Sequence, residues 1–133
     1  MSSKEVFMEV TAAVFVKDDG ILLMRRAQGQ SSAGGWEYPG GKIEPGETGE
    51  QCIKRELFEE LCIEAEIGDL LAESTFSTTN STIHLLAYHV KNYYGTIQLT
   101  VHDSMEWVPL HSLLAHDQLP ADYMISQKLL EVL

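Results

Sequence analysis

Residues 41–63 limit what this chain can fold into more than any other stretch. Two glycine-containing turns, Pro39-Gly40-Gly41-Lys42 and Pro45-Gly46-Glu47, lead into a segment where Ile53, Leu57 and Leu61 recur four apart. That spacing predicts a helix over residues 48–61 with one buried stripe. At about 100° per residue, Glu56, Glu59 and Glu60 fall near 0°, 300° and 40°, on a single face. At roughly 5 Å separation and an effective dielectric near 20, each like-charged pair costs on the order of 3 kcal/mol. Either the face is solvated or a divalent cation neutralises it. The turns favour the cation, because glycine lets backbone carbonyls and amides approach a metal and a phosphate. Hard oxygen ligands suit Mg2+, with Mn2+ as a substitute. Arg55 lies about 100° from Glu56, where its guanidinium fork can hold a carboxylate in place.

The rest of the chain reads as strands around that helix. Residues 5–16 are rich in β-branched and aromatic side chains, and Lys17-Asp18-Asp19-Gly20 supplies hairpin turn chemistry before a returning strand at 21–24. Arg25 and Arg26 end that strand and open a loop over 27–35, polar and rich in Gly and Ser, and 36–38 is a short extended piece. Extended segments are expected at 65–78, 82–91 and 96–100, and a short strand at 105–108. A helical turn follows from Pro109 to Leu114, then a last helix over 122–133 with Ile125, Leu129 and Val132 on one side. This order predicts an α/β (α+β) fold, a mixed β-sheet with helices on its faces.

The 133 residues fit one domain, 1–133, with no repeat or linker. A net charge of −11, from 9 basic and 20 acidic side chains, excludes gripping polymeric nucleic acid through its phosphates. A small anionic substrate is compatible with that charge where metal ions bridge it. The start of the chain lacks a signal peptide's basic and apolar regions, and no apolar run reaches the roughly 18 residues of a membrane span, so a soluble, cytoplasmic protein is expected. Cys52 and Cys62 have no zinc-type spacing and read as reduced packing residues.

The central stretch resembles the signature of the Nudix hydrolases, G-x5-E-x7-R-E-U-x-E-E-x-G-U with U a bulky aliphatic residue. Gly41, Glu47, Arg55, Glu56, Leu57, Glu59, Glu60 and Ile63 fall on it, eight of its nine defined positions. The departure is Cys62, where the family usually has glycine. Near a helix C-terminus that position favours a left-handed residue, so Cys62 is expected to cost about 1 kcal/mol or to shift the helix end. The resemblance implies an α/β/α sandwich that cleaves a nucleoside diphosphate linked to another moiety by metal-assisted attack of water on phosphorus. It implies Glu56, Glu59 and Glu60 as metal ligands with the Gly40 carbonyl, and Glu47 bonded to Arg55 to orient the helix. Glu47 also suits a helix N-terminus on dipole grounds alone.

The flanks, Trp36-Glu37-Tyr38-Pro39-Gly40-Gly41-Lys42 and Leu119-Pro120-Ala121-Asp122, are similar to MutT-type nucleoside triphosphate pyrophosphohydrolases, including 8-oxo-dGTP and CTP-directed members. The implied substrate is a nucleoside triphosphate, normal or oxidised, cleaved to monophosphate and pyrophosphate by a monomer or homodimer. Hydrolysis of ADP-ribose or another nucleoside diphosphate derivative, and a weakly catalytic nucleotide sensor, are the alternatives. Substrate selection is placed on Arg26, Tyr38, Met8 and Asp122. Arg26 resembles a phosphate-contacting arginine or is a solvent-exposed loop edge. Asp122 either reads a base edge or N-caps the last helix. A further acidic residue that many relatives carry between Thr100 and Trp107 has its usual place taken by Val101. Asp103 is the first candidate for that role, as metal ligand or general base, and His102 the second, with ordinary turn chemistry as the alternative and a glutamate of the motif as the other possible base.

Overall fold

The computed structural model describes residues 6–133, and Glu5, the expected first residue of the opening strand, lies outside them. Strand β1 is Val6–Val14, β2 is Val16–Lys17 and β3 is Gly20–Arg26, with the expected turn between β2 and β3. Ile21, Leu22, Leu23 and Met24 are all fully buried, an unbroken apolar run rather than an alternating one. Such a run means that both faces of β3 are covered. The two faces feed separate cores. Ala13, Phe15, Leu22 and Met24 pack with Ile53, Leu57 and Leu61 of helix α1, Gly49–Leu61. Ala12, Val14, Ile21 and Leu23 pack with Ile125 and Leu129 of helix α2, Pro120–Val132. Sheets between two helices make the mixed α+β sandwich expected from the sequence.

Two sheets form the middle layer. In the first, β1 pairs in parallel with β6, Ser81–Tyr94, which pairs antiparallel with β5, Glu64–Ser77. In the second, β3 pairs antiparallel with β2, with β4, Trp36–Glu37, and along its length with β7, His102–Pro109. The register between β3 and β7 slips once: Arg25 faces Ser104 but Arg26 faces His102, so Asp103 is the extra residue of a bulge.

Helix α1 starts on a reciprocal capping box, with Thr48 Oγ1 accepting from Gln51 N–H and Gln51 Oε1 accepting from Thr48 N–H. It ends at Cys62, whose φ of 61° and ψ of 35° are left-handed, as its place in the motif predicts.

Four local expectations are corrected. Residues 96–100 form no strand. They run as a strap over the end of α1, where Gln98 N–H donates to the Leu61 carbonyl at 2.9 Å and the Thr100 hydroxyl to that of Glu60 at 2.8 Å. The open carbonyls of a helix end compete for these donors. The expected break at 92–95 comes later, because β6 continues to Tyr94 to pair with Glu64. Val132 is 58% exposed, beyond the reach of the sheet, while Ser126 takes a buried place on the inner face of α2. Finally, α2 begins at Pro120 with Leu119 at its cap, so Asp122 is not the N-cap.

Replacing Cys62 by glycine is expected to stabilise the protein by about 1 kcal/mol, since glycine adopts the left-handed conformation without a Cβ clash. Urea unfolding of the two proteins checks this; an unchanged or lower midpoint for Cys62→Gly would show that the helix end carries no strain.

Candidate active site

The site is built from α1 and the glycine turn before it. Along β1, Thr11 N–H donates to the Gly41 carbonyl and Ala13 N–H to that of Pro39, both at 2.8 Å, while Ile43 N–H donates back to Glu9. Extended backbone alternates its polar groups, so with Pro39 and Gly41 facing β1, those of Gly40 face away. The Gly40 N–H is 3.4 Å from Glu60 Oε1, on the carboxylate side. No side chain fits here. A Cβ on Gly40 would come within 2.1 Å of the Thr11 carbonyl, and one on Gly41 within 2.3 Å of the Glu56 carboxylate. Thr11 and Cys52 fasten the turn from below: Thr11 Oγ1 lies 3.1 Å from the Gly41 carbonyl and 3.3 Å from Cys52 Sγ. Burial, foremost, raises the Cys52 thiol to about 11, so it stays a neutral packing group.

Arg55 organises the acids. Its Nε and Nη2 grip the two oxygens of Glu47 at 2.7 and 3.0 Å, and its Nη1 meets Glu56 at 2.9 Å and Glu59 at 3.1 Å. Nη2 also donates to the Lys42 carbonyl, tying the helix back to the turn. The Arg55 hydrogen bond, foremost, and then that from Glu44 N–H hold the Glu47 carboxyl down at about 2. Glu60 behaves oppositely: burial first, then the charges of Glu56 and Glu37, push it up to about 8. Three glutamates with oxygen donors, one of them reluctant to ionise, fit a hard divalent cation, which would restore the charged form. Among the described residues, no three His, Cys, Asp or Glu side chains form a ready-made metal cage.

Beside this turn, a cavity of about 270 Å³ is lined by Val10, Thr11, Phe76, Ile83, Leu85 and Leu119, with Glu37, Tyr38, Gly40 and Asp122 as polar or backbone contributors. Its apolar walls with few polar groups are typical of a small-ligand site. Asp122 is only 8% exposed, and its Oδ1 accepts from Tyr38 N–H at 3.0 Å. Burial, foremost, and the charge of Glu37 push it up to about 8, so at neutral pH it is largely a neutral acid that can donate as well as accept. The Tyr38 ring is buried and its hydroxyl is bonded to Ser126; it borders the cavity as wall.

The structure thus gathers Glu47, Arg55, Glu56, Glu59, Glu60 and Gly40 at one place, and Tyr38 and Asp122 in the adjoining cavity. Arg26 is no free loop residue: its Nη1 pairs with Glu37 at 3.0 Å and its Nε donates to the Ser31 carbonyl. Met8 borders a different depression, beside Lys42 and Glu47. The bulge separates the two base candidates. Asp103 turns out to pair with Arg25 at 2.7 Å, while His102 is buried with Nε2 2.9 Å from Glu37. Glu37 itself was not singled out in the sequence. Its only signal was a place in Trp36-Glu37-Tyr38 beside the glycine turn, where nothing marks a lone acid as buried.

The NUDIX domain family model matches residues 8–129, and the chain belongs to this family of hydrolases, which generally need divalent metal ions. It is 40% identical over 115 residues to the CTP pyrophosphohydrolase of Escherichia coli (strain K12), covering 86% of this chain and 85% of that protein. It is 34% identical over 124 residues to the 8-oxo-dGTP diphosphatase of Haemophilus influenzae, covering 92% and 91%. Among solved structures, the E. coli ORF135 protein superposes with a TM-score of 0.86 at 36% identity, covering 96% of this chain and 91% of that one. The MutT protein of Methanosarcina mazei Go1 superposes with a TM-score of 0.83 at 25% identity over 96% of both chains.

Two acids give opposite pH signatures. Glu47 has a lowered pKa when folded, so its contribution is present above the ordinary value near 4.5 and is lost as pH falls toward 2. Asp122 has a raised one, so the folded state is favoured below the ordinary 3.8 and loses that advantage as pH rises toward 8. Unfolding measured from pH 2 to 9 should therefore show Glu47→Gln least stable relative to wild type above pH 4.5, with the gap closing toward pH 2. Asp122→Asn should gain on wild type steadily from pH 4 to 8. A pH-independent gap for either variant contradicts its assignment.

Proposed function

We propose that this chain is a Mg2+-dependent pyrophosphohydrolase that cleaves a nucleoside triphosphate, normal or oxidised in its base, to monophosphate and pyrophosphate. The observation that carries this is one continuous site. Gly40 touches both the carboxylate helix, through Glu60, and the largely apolar cavity that Asp122 also lines. The names of the relatives, CTP pyrophosphohydrolase and 8-oxo-dGTP diphosphatase, support a triphosphate as substrate. In this reading residues 1–133 act as one catalytic unit.

The base enters the apolar cavity, where Phe76, Ile83, Leu85 and Leu119 exclude water and Asp122 faces its edge. As a neutral acid Asp122 donates to a ring nitrogen or carbonyl and accepts from an amino group, which admits more than one base. Glu56, Glu59 and Glu60, with the Gly40 carbonyl, would hold the cation, with Mn2+ as a substitute for Mg2+; when bound it would neutralise charge on the phosphates and acidify water. Water then forms a bond to phosphorus while the bond to the pyrophosphate oxygen breaks, and the water proton passes to a carboxylate. Asp103 is engaged by Arg25 and His102 by Glu37, so a glutamate of the helix takes that proton. Glu59 suits the role, its side chain being 56% exposed while Glu56 is 15% exposed. Arg55 keeps Glu56 and Glu59 aligned, and Glu47 fixes Arg55.

Incubation of the protein and Mg2+ with a panel of normal and oxidised triphosphates and ADP-ribose is expected to release monophosphate and pyrophosphate from at least one triphosphate. No monophosphate from any of them overturns the proposal, and cleavage confined to ADP-ribose moves the substrate class. Glu59→Gln or Glu60→Gln should lower turnover on the order of 100-fold or more with the fold intact by circular dichroism. Near-normal turnover removes that residue from the site.

A further inference from the structure

Glu37 stands between the two halves of the site and has an oxygen to spare. Its side chain is 13% exposed and borders the cavity that Gly40 and Asp122 also line. Both of its described partners bond the same atom: Arg26 Nη1 donates to Oε2 at 3.0 Å and His102 Nε2 at 2.9 Å. His102 Nδ1 is buried and has no partner, so the proton that makes this second bond sits on Nε2. The two donors come from β3 and β7, fixed next to each other by the bulge at Asp103. Oε1 takes no hydrogen bond among the described residues. The carboxylate is thus clamped by one oxygen and presents the other.

We propose that Glu37 Oε1 accepts a hydrogen bond from a pentose hydroxyl of the nucleotide and so selects for a hydroxylated sugar. The inference rests on the triphosphate reading above, which puts the phosphates at Gly40 and Glu60 and the base at Asp122. The part of a nucleotide that lies between base and phosphates is the pentose, and its hydrogen-bond donors are the 2′ and 3′ hydroxyls. An ionised carboxylate only accepts, so it needs a donor opposite it. Glu37 lines the same cavity as Gly40 and Asp122, where in this reading the sugar must pass.

The test pairs substrate variants with protein variants. Ribose, 2′-deoxy and 3′-deoxy forms of the best triphosphate are compared by kcat/KM, and the corresponding monophosphates by calorimetric binding with Mg2+ present. In the wild type, loss of the contacted hydroxyl is expected to cost about 10- to 100-fold in both measurements. In Glu37→Ala that penalty should shrink to about threefold or less. Because Ala leaves Arg26 and His102 unpaired, Glu37→Gln is the second variant. Its amide oxygen can still accept from both, which turns the amide NH2 into the cavity; that NH2 can donate to the hydroxyl oxygen, but the charge-assisted bond is lost, so the penalty should fall below the wild-type value. A penalty of equal size in the wild type and either folded variant overturns the proposal, as does a wild type indifferent to both hydroxyls. A uniform loss of kcat across all sugars assigns Glu37 to the metal end and likewise overturns it. Hydroxyl-dependent binding that needs Glu37, without hydrolysis of any triphosphate, would uphold the sugar contact while defeating the hydrolytic reading.

Discussion

Arg55 holds the structure's acidic centre together. A helix carrying Glu56, Glu59 and Glu60 on one face, facing Glu47 across a turn, would repel itself open without a cation of its own. The guanidinium supplies one with the right shape: two donors for Glu47, one shared by Glu56 and Glu59, and one contact with the Lys42 carbonyl. Lysine offers a point charge and cannot reach those partners at once. Glu60 lies outside this grip and keeps its proton most readily. The arginine therefore neutralises the support of the site and leaves its inner acid to be balanced by something that binds there.

Packing turns that electrostatic arrangement into a fixed geometry. Glu56 rests on Gly41 where a Cβ would stand, and Gly40 approaches the Thr11 backbone just as closely. Both glycines are there for proximity: β1, the turn and α1 can stack only if nothing projects between them. Thr11 and Cys52 close the bottom of the stack with their polar atoms satisfied, and the strap at 96–100 closes the far end of α1. The helix is held at its cap, along its buried stripe of Ile53, Leu57 and Leu61, and at its last carbonyls. A cation site of carboxylates needs such constraint, because each acid has ample rotameric freedom to escape its neighbours.

The sequence made α1 legible because helical periodicity, capping residues and charge spacing all coincide within residues 48–61. The left-handed end at Cys62 was legible for the same reason, since only the motif's register puts a turn there. The strands were readable as strands, but their ends were not: Tyr94 is extended because Glu64 lies opposite, and 96–100 is not a strand because no partner lies beside it. Long-range pairing decides both, and one chain's local pattern does not record it. Of the two readings open for Asp122, the capping one fails for a similar reason. Its place before an apolar helix suits an N-cap, yet Pro120 already starts the helix and the Tyr38 N–H claims the carboxylate. Asp103 came before His102 because the resemblance asks for an acid between Thr100 and Trp107, and nothing local in the sequence shows the bulge that turns Asp103 to Arg25 and His102 to Glu37.

That bulge also explains how two sets of demands coexist in so small a site. The carboxylate end is fixed by α1 and the glycine turn, which pack on one side of the sheets, and the cavity end by Asp122 on α2, which packs on the other. Neither helix touches both ends. Glu37 bridges them from β4, and it faces inward because Arg26 and His102 come from adjacent strands at the one point where their register slips. A regular ladder would set Asp103 opposite Arg26 and place an acid next to Glu37 in place of a donor. The slip substitutes an imidazole N–H for a carboxylate and so makes a buried acid tolerable between Glu60 and Asp122. The placing of Glu37 between carboxylate helix and cavity lining thus depends on one extra residue in β7, outside the motif that identifies the family.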